Sequence, residues 1–474
     1  MSATVQQIPS ERQRLFDAFQ PKLETAFHLD RRLVSFQANK SEPFFRWFKY
    51  KEGFSSALVR CLLETYAPRP GKLLDPFAGA GTSLFAAREL GWEAHGIELL
   101  PVGAFAIKAR ESFEKIDHSV LKKMIDEYLC DYSPIGRDIA QFKHLTITRN
   151  AFPTDNENDL NEYLSFCSRI IDADLRRVLK FAAFAVLEEI SYTRKDGQYL
   201  RWDHRSPRIL KGKPFDKGRI YSFKESLYNK VLQLADDGSF VDTLFPFDFG
   251  SNGSSALGSI SLRVGSCLEH LPRYASEEFD FVITSPPYCN RYDYTRTYAL
   301  ELAFLGFGDQ EVRELRQKML SCTVENKEKI ASLGEMYQAA NRGSVFESVL
   351  TVYDRCRAMS EINSVLDALV KQDRLNNKNI ARMVRNYFLE MCFVISELAR
   401  VTRSGGYCVI INDNVRYGGE EIPVDLILSE FAQSFGYSVE KIFVLPRGKG
   451  NSSQQMGAFG RTEVRKCVYL WRKE

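Results

Sequence analysis

The stretch GKLLDPFAGAGTSLFAARELGWEAHGIE, residues 71–98, combines a short apolar strand, a glycine-rich turn, a helix and a second strand. We place the first strand at 72–74, the turn at 75–82, the helix at 83–90 and the second strand at 93–98. Alternating strands and helices are typical of a parallel sheet that carries helices on its faces. The stretch therefore predicts an α/β fold built on a doubly wound, Rossmann-like sheet.

Three later blocks add strands and a helix to the same predicted sheet. One is a buried type of strand at 280–284, which ends at Ser285-Pro286-Pro287-Tyr288. Another is an apolar helix at 388–401 that leads through two glycines into a strand at 407–411. The last block, 437–471, contains two strands joined by a loop.

Two long stretches interrupt these blocks and indicate the domain organisation. Residues 111–258 and 306–380 are too long to be simple loops, so we interpret both as insertions with structure of their own. The first begins helical and becomes basic and turn-rich, whereas the second is polar and mostly helical. The main domain is therefore predicted to combine 1–110, 259–305 and 381–474.

Composition is that of an ordinary globular protein. Of the 474 residues, 44% are hydrophobic and 26% are charged, and the formal net charge is +3. No apolar run reaches the roughly 18 residues that a membrane helix needs, and the first residues lack the pattern of a secretory signal. The ten cysteines form no C-x-x-C pair, and the six histidines show no ligand spacing. We therefore expect a cytoplasmic protein with no metal, no disulfide framework and no membrane partner.

The turn at 75–82 has the form of a nucleotide-binding loop. Gly79 and Gly81 allow the backbone to approach a ligand closely, and the following helix presents free N–H groups. Glu98 ends the next strand, 16 residues after Thr82, where a carboxylate can accept both hydroxyls of a ribose. This pairing indicates an adenosine-containing ligand and leaves a dinucleotide and S-adenosylmethionine both open.

The tetrapeptide Ser285-Pro286-Pro287-Tyr288 distinguishes between these ligands. Together with the turn at 75–82, it resembles the amino-group methyltransferases of DNA, which pair a D-P-F-x-G-x-G-T loop with a [D/N/S]-P-P-[Y/F/W] tetrapeptide at a strand end. A proline stop after a strand would explain the two prolines but not the serine and tyrosine beside them. The resemblance covers roughly residues 35–125, 260–305 and 385–474, and the joint occurrence of two motifs is more specific than either alone.

The resemblance implies methyl transfer from S-adenosylmethionine to an exocyclic amino group of a DNA base. Ser285 Oγ and the Pro286 carbonyl would accept the two amino protons, because the amino lone pair must be drawn out of the ring before it can attack. Pro287 helps to hold the backbone rigid, and Tyr288 would stack on a base that has left the helix. The expected cofactor-binding residues are Phe54, Ser55, Asp75, Phe77, Ala78, Gly79, Gly81, Thr82 and Glu98.

Two further segments match the family more loosely. Residues 51–59 resemble the family's segment that closes over the amino-acid end of the cofactor, and an ordinary serine-capped helix explains them equally well. At 265–267 the family often has an aspartate that contacts adenine, where this chain has Ser266. We therefore leave the adenine contact unassigned.

Ser285 favours cytosine N4 as the target, because members of the resembled family that act on adenine usually have Asp or Asn there. Adenine N6 is the runner-up, and an RNA base is a less favoured alternative. A cytosine-C5 enzyme needs a nucleophilic cysteine directly after proline, and here Tyr288 separates Pro287 from Cys289. A dehydrogenase would leave the tetrapeptide unexplained, and a non-enzymatic nucleic-acid-binding protein would not need the cofactor. The resemblance also implies a bacterial or archaeal host, with a separately acting cognate restriction endonuclease as a candidate partner.

The segment 191–230 is the predicted DNA-contacting part of the first insertion. It contains eleven basic and four acidic residues, a net charge of +7, interleaved with aromatic residues suited to stacking. A solvated basic loop is the alternative interpretation. The expected DNA-contacting residues are Arg194, Lys195, Arg201, Trp202, Arg205, Arg208 and, after the tetrapeptide, Arg291.

Overall fold

The structure, a computed structural model, describes residues 10–130, 132, 140–196, 199–209, 213–244, 257–446 and 463–474. Lys211, one of the basic residues counted in the segment 191–230, lies outside the described residues. In the described part of the chain, no helix is long and apolar enough to cross a membrane.

Twelve strands occur in the described residues, and eight of them form one sheet. In chain order the strands are β1 (Leu23–Thr25), β2 (Lys72–Asp75), β3 (Glu93–Glu98), β4 (Thr193–Asp196), β5 (Tyr199–Trp202), β6 (Ile260–Val264), β7 (Phe279–Thr284), β8 (Thr402–Asp413), β9 (Val415–Tyr417), β10 (Glu420–Ile422), β11 (Tyr437–Val444) and β12 (Lys466–Lys473). The sheet has the order β1-β11-β12-β8-β7-β2-β3-β6. Within it, β12 runs antiparallel to both neighbours and every other pairing is parallel.

Helices surround the sheet and build the two insertions. Those described are α1 (Glu11–Phe19), α2 (Ser56–Tyr66), α3 (Thr82–Glu89), α4 (Pro101–Phe113), α5 (Ser119–Cys130), α6 (Thr154–Ser168), α7 (Ala173–Ile190), α8 (Phe223–Leu244), α9 (Cys267–His270), α10 (Tyr294–Thr297), α11 (Ala299–Phe304), α12 (Asp309–Lys318), α13 (Ile330–Ala339), α14 (Gly343–Arg355), α15 (Arg357–Lys371), α16 (Ile380–Val401) and α17 (Val424–Ser434).

The side chains of β7 show that the sheet is covered on both faces. Phe281 and Ile283 belong to the apolar cluster that includes α2 and α3, whereas Val282 belongs to the cluster that includes α16 and α17. Successive side chains of a strand point to opposite faces, so a strand buried on both sides is apolar throughout. The prediction of a doubly wound α/β sheet is confirmed.

The strand order places a crevice beside β2. This strand pairs in parallel with β3 on one side and with β7 on the other, where Leu73 lies opposite Phe281 and Leu74 opposite Val282. From β2 the chain goes on to β3 and β6 on one side of this pair, whereas from β7 it goes on to β8 on the other side. In open α/β sheets, ligands bind outside the carboxyl ends of the strands at such a point.

The two insertions pack in different places, except that α12, which belongs to the second insertion, packs with the first. Helices α5 to α8 of the first insertion form an apolar cluster together with α4, α11 and α12. Helices α13 to α15 of the second insertion join the cluster on the other side of the sheet, against α16 and α17. The boundaries 111–258 and 306–380 stay predictions.

Candidate active site

A cavity lies at the carboxyl edge of the sheet. Its walls come from the segment before α2, the turn after β2, the end of β3, the turn after β6 and the tetrapeptide after β7. Met319 and Leu320, which follow α12, contribute to the wall as well.

Three glycines shape the turn after β2. Gly79 and Gly81 have φ angles of +55° and +82°, in the left-handed region that glycine adopts without steric cost. A Cβ atom on Gly103, in α4, would lie 2.3 Å from the carbonyl oxygen of Gly79. The absence of a side chain at 103 therefore allows α4 to approach the turn closely.

Glu98 ends β3 and holds the glycine turn by its carboxylate. One oxygen accepts a hydrogen bond from the Gly79 N–H and the other from the Leu100 N–H, each over 2.6 Å. The residue is 7% exposed, and this burial raises the pKa of Glu98 to about 8 although the two hydrogen bonds oppose the shift. Each oxygen retains a second lone pair, so the carboxylate can still accept hydroxyls from a ligand.

Asp75 joins the turn to the strand that carries the tetrapeptide. Its carboxylate accepts hydrogen bonds from the Phe77 N–H over 3.0 Å, from Thr284 Oγ1 over 2.7 Å and from the Ser83 hydroxyl. Burial raises the pKa of Asp75 to about 6. Because Thr284 is the last residue of β7, this carboxylate fixes the distance between the glycine turn and Ser285.

The tetrapeptide follows β7 directly. Ser285 and Pro287 line the cavity, while Pro286 is buried. The Ser285 hydroxyl donates a hydrogen bond of 3.2 Å to the Tyr288 oxygen, which leaves the lone pairs of Ser285 Oγ for a donor inside the cavity. Burial raises the pKa of Tyr288, so the phenol stays protonated at neutral pH.

A tyrosine pair and a glutamate form another part of the wall. The ring of Tyr50 stacks on that of Tyr298, with centroids 5.2 Å apart and an interplanar angle of 11°. The Tyr298 hydroxyl donates a hydrogen bond of 2.7 Å to Oε2 of Glu52. Tyr50, Glu52 and Tyr294 all line the cavity.

Nine of the residues named from the sequence line this cavity, and their binding roles stay predictions. They are Phe54, Asp75, Phe77, Ala78, Gly79, Thr82, Glu98, Ser285 and Pro287. Ser55 is not among the lining residues, and its Oγ caps α2 by accepting the Leu58 N–H over 3.2 Å; its cofactor contact stays a prediction. Gly81 lies against α4, because a Cβ atom on Gly81 would be 2.7 Å from the side chain of Ile107.

Some of the wall was not identified from the sequence. Glu52 belongs to the segment 51–59, and its place in this candidate cofactor segment is the signal that could have identified it. Met319 and Leu320 belong to the second insertion, and no motif indicates that this insertion reaches the cavity.

The segment 191–230 begins with a hairpin whose two faces differ. In the β4–β5 pair, Arg194 lies opposite Arg201 and Lys195 lies opposite Leu200. Arg194 and Arg201 are exposed, whereas Lys195 is 4% exposed and forms an ion pair with Glu301. A buried ammonium cannot reach a phosphate, so Lys195 is withdrawn from the expected DNA contacts.

Other predicted DNA contacts have local partners. Arg205 binds the buried carboxylate of Asp203 over 2.7 and 2.9 Å. Arg208 lies 4.2 Å from the ring centre of Trp202 and donates to the Ile147 carbonyl. These two arginines therefore hold the loop in place, and fewer charges are free than the net +7 indicates.

Arg291 follows the tetrapeptide and has a left-handed backbone, with φ of 66°. Its guanidinium donates a hydrogen bond of 3.0 Å to the side-chain oxygen of Asn376, which belongs to the second insertion. The structure therefore ties Arg291 to that insertion, and its contact with DNA stays a prediction.

Three known proteins are similar to this chain over nearly its whole length. The type II methyltransferase M.AvaI of Nostoc sp. (strain PCC 7120) and that of Anabaena variabilis are each 44% identical over 471 residues, which cover 99% of this chain and 94% of the relative. The type II methyltransferase M.BsoBI of Geobacillus stearothermophilus is 40% identical over 462 residues, which cover 94% of this chain and 88% of the relative. No family model matches the chain, and no solved structure matches it.

Proposed function

Because the chain belongs to the type II methyltransferases, which are site-specific DNA methyltransferases, we propose that it methylates the N4 amino group of cytosine. The proposed methyl donor is S-adenosylmethionine, and the proposed site is the cavity at the carboxyl edge of the sheet. A separately acting restriction endonuclease that cuts the same DNA sequence is part of this proposal.

The cavity fits the proposed cofactor in shape and in charge. Gly79 and Gly81 leave the turn free of side chains, and Glu98 can accept the two hydroxyls of a ribose. Asp75, Glu98 and Glu52 line the cavity, whereas no lysine or arginine does in the described residues. Burial raises the pKa of all three carboxyl groups, and a ligand that carries a sulfonium and an ammonium group favours their ionised form. When bound, the cofactor supplies an electrophilic methyl group.

The single observation that carries the target assignment is the position of Ser285. Its Oγ faces the cavity with lone pairs free, because its proton is directed to Tyr288. A neutral acceptor there, together with the Pro286 carbonyl, can hold the two N–H groups of an exocyclic amine and turn its lone pair toward the methyl donor. Adenine N6 is the second candidate because its amino group needs the same two acceptors.

The first prediction concerns the product. We expect DNA from cells that express the chain to contain N4-methylcytosine, measured by mass spectrometry of digested nucleosides. The matched control is DNA from cells that express Ser285→Ala. N6-methyladenine as the sole new nucleoside would overturn the cytosine assignment, and methylation confined to RNA would overturn DNA as the substrate.

We also propose that the outer face of the β4–β5 hairpin contacts the DNA backbone. Arg194 and Arg201 lie side by side across the two strands and are exposed. The Arg201 guanidinium also lies 4.0 Å from the ring centre of Phe215 and pairs with the Asp196 carboxylate over 3.1 Å. The opposite face of the hairpin packs inward, where Lys195 meets Glu301.

The second prediction tests this surface through the salt dependence of DNA binding. The double variant Arg194→Ala with Arg201→Ala should reduce the slope of log K against log salt by up to about 1.8, because each lost phosphate contact removes roughly 0.9 on B-DNA. The matched control is Arg219→Ala with Lys224→Ala, which removes two cations whose partners are Glu225 and Asp159. Equal slopes for both double variants would place the DNA surface elsewhere.

A further inference from the structure

Glu52 differs from the other two carboxylates of the cavity. Both oxygens of Glu98 accept backbone N–H groups, and Asp75 accepts three donors, one of them a backbone N–H. Glu52 instead accepts a hydrogen bond from the phenol of Tyr298 at Oε2. No described hydrogen bond joins its carboxylate to the backbone, so this carboxylate is not needed to hold the turns around the cavity.

The cations nearest to Glu52 are engaged with other groups. The Lys51 ammonium donates to the carbonyl oxygen of Lys195, and the Lys195 ammonium pairs with Glu301. Among the described ion pairs, none involves Glu52. Its carboxylate is therefore held at the cavity wall with no ion pair among the described residues, and burial without an ion pair favours the protonated form of a carboxyl group.

The surroundings of Glu52 affect its protonation. Burial raises the pKa of Glu52, while the Tyr292 and Tyr298 hydroxyls and the charges of Lys51 and Lys195 partly offset the shift. The other titratable groups that interact with it are the phenols of Tyr50, Tyr288 and Tyr294. A carboxylate with a raised pKa accepts a proton more readily near neutral pH than an ordinary glutamate does.

Ser285 and Glu52 line the same cavity. The Ser285 hydroxyl donates a hydrogen bond of 3.2 Å to Tyr288, and the charge of Glu52 contributes to the raised pKa of Tyr288. An amino group held by Ser285 Oγ therefore lies in the cavity whose wall includes Glu52.

The proposed reaction produces a proton that the tetrapeptide cannot keep. Methylation of an exocyclic amine leaves a positive charge on nitrogen, and one N–H proton must depart to restore the neutral base. A serine hydroxyl and a backbone carbonyl can orient that proton, but neither is basic enough to hold it. A carboxylate in the same cavity is basic enough to accept it.

We propose that the Glu52 carboxylate accepts the proton released by the target amino group. This inference rests on the proposed function. The amino nitrogen forms its bond to the methyl carbon as the sulfur–methyl bond breaks, with that electron pair left on sulfur. The N–H bond then breaks, its electron pair stays on nitrogen, and the proton moves to a carboxylate oxygen of Glu52, which later loses it to water.

The test compares Glu52→Gln, Glu52→Asp and the wild-type chain in single-turnover methylation of plasmid DNA, with the cofactor saturating at every pH. We expect the wild-type rate to rise with pH until Glu52 is ionised. Glu52→Gln keeps the size and the hydrogen bond from Tyr298 but cannot accept a proton. Its rate should be about 100-fold lower and should lack the part of the rise with pH that comes from the ionisation of Glu52. Glu52→Asp should be slower than wild type but retain the rise.

Two controls separate this role from a structural one. Glu188→Gln removes a carboxylate that faces Lys195 from outside the cavity, and it should keep the wild-type rate and pH profile. The second control is an infrared pH titration of the cofactor-free proteins. The difference between the wild-type and Glu52→Gln spectra should show one carboxyl group whose pKa is higher than that of an ordinary glutamate. Calorimetry gives the cofactor concentration that saturates each protein, because Glu52 also belongs to the acidic wall of the cofactor cavity.

The outcomes are distinguishable. Glu52→Gln with the wild-type rate, or with a lower rate that keeps the wild-type rise with pH, would overturn the proton-acceptor role while leaving the methyltransferase proposal intact. A wild-type chain that methylates no exocyclic amine would overturn both proposals.

Discussion

Gly79→Val should strongly reduce the affinity for S-adenosylmethionine. Gly79 has φ of +55°, and a Cβ there would lie 2.9 Å from the ring of Tyr50. A left-handed backbone costs a residue with a side chain roughly 1–2 kcal/mol, and crowding adds about 1–3 kcal/mol. The turn can relieve this strain by moving away from Tyr50 and Glu98, and we therefore expect the affinity measured by calorimetry to fall roughly 10²-fold or more.

The matched control for this variant is Gly306→Val. Gly306 has φ of +89°, and a Cβ there would have no atom within 4 Å apart from its chain neighbours. The substitution therefore imposes the same type of backbone strain without crowding and away from the cavity. We expect its cofactor affinity to be close to that of the wild type. Equal affinities for Gly79→Val and the wild type would show that the glycine turn does not hold the cofactor.

The sheet and the glycine turn could be predicted because their patterns are local. The strand at 93–98 coincides with β3, and the apolar run that ends at Ser285 coincides with β7. Parallel strands end at the same edge, so the turn after β2 and the tetrapeptide were expected to meet. The edge strands β1 and β6 were not identified, since β1 has three residues and β6 is mostly half-exposed.

The roles of individual charges could not be predicted, because they depend on partners far away in the chain. Lys195 was predicted to contact DNA, yet strand alternation turns it inward to Glu301, 106 positions later. Asp75 lines the cavity, as the cofactor prediction requires, but its hydrogen bonds with Ser83 and Thr284 could not be read from the sequence. Charge counts give neither the direction of a side chain nor its distant partner.

The prediction with the most direct bearing on the chemistry is that Ser285→Ala should methylate DNA about 10²–10³ times more slowly, as expected when one preorganised hydrogen bond to the reacting group is lost. Cofactor affinity should not change, because Ser285 is not part of the glycine turn or of Glu98. Single-turnover methylation measures the first effect, and calorimetry the second.

Two variants of Tyr288 show whether Ser285 acts through its lone pairs. Tyr288→Phe removes the oxygen that accepts the Ser285 proton, so the hydroxyl can rotate and its lone pairs are less well directed. The loss of one such bond is worth about 1 kcal/mol, or roughly a fivefold lower rate. Tyr288→Ala also removes the ring and should weaken capture of the flipped base further.

A Ser285→Ala rate equal to that of the wild type would exclude Ser285 as an acceptor. If instead Tyr288→Phe were as slow as Ser285→Ala, the phenol would be the group that holds the amine.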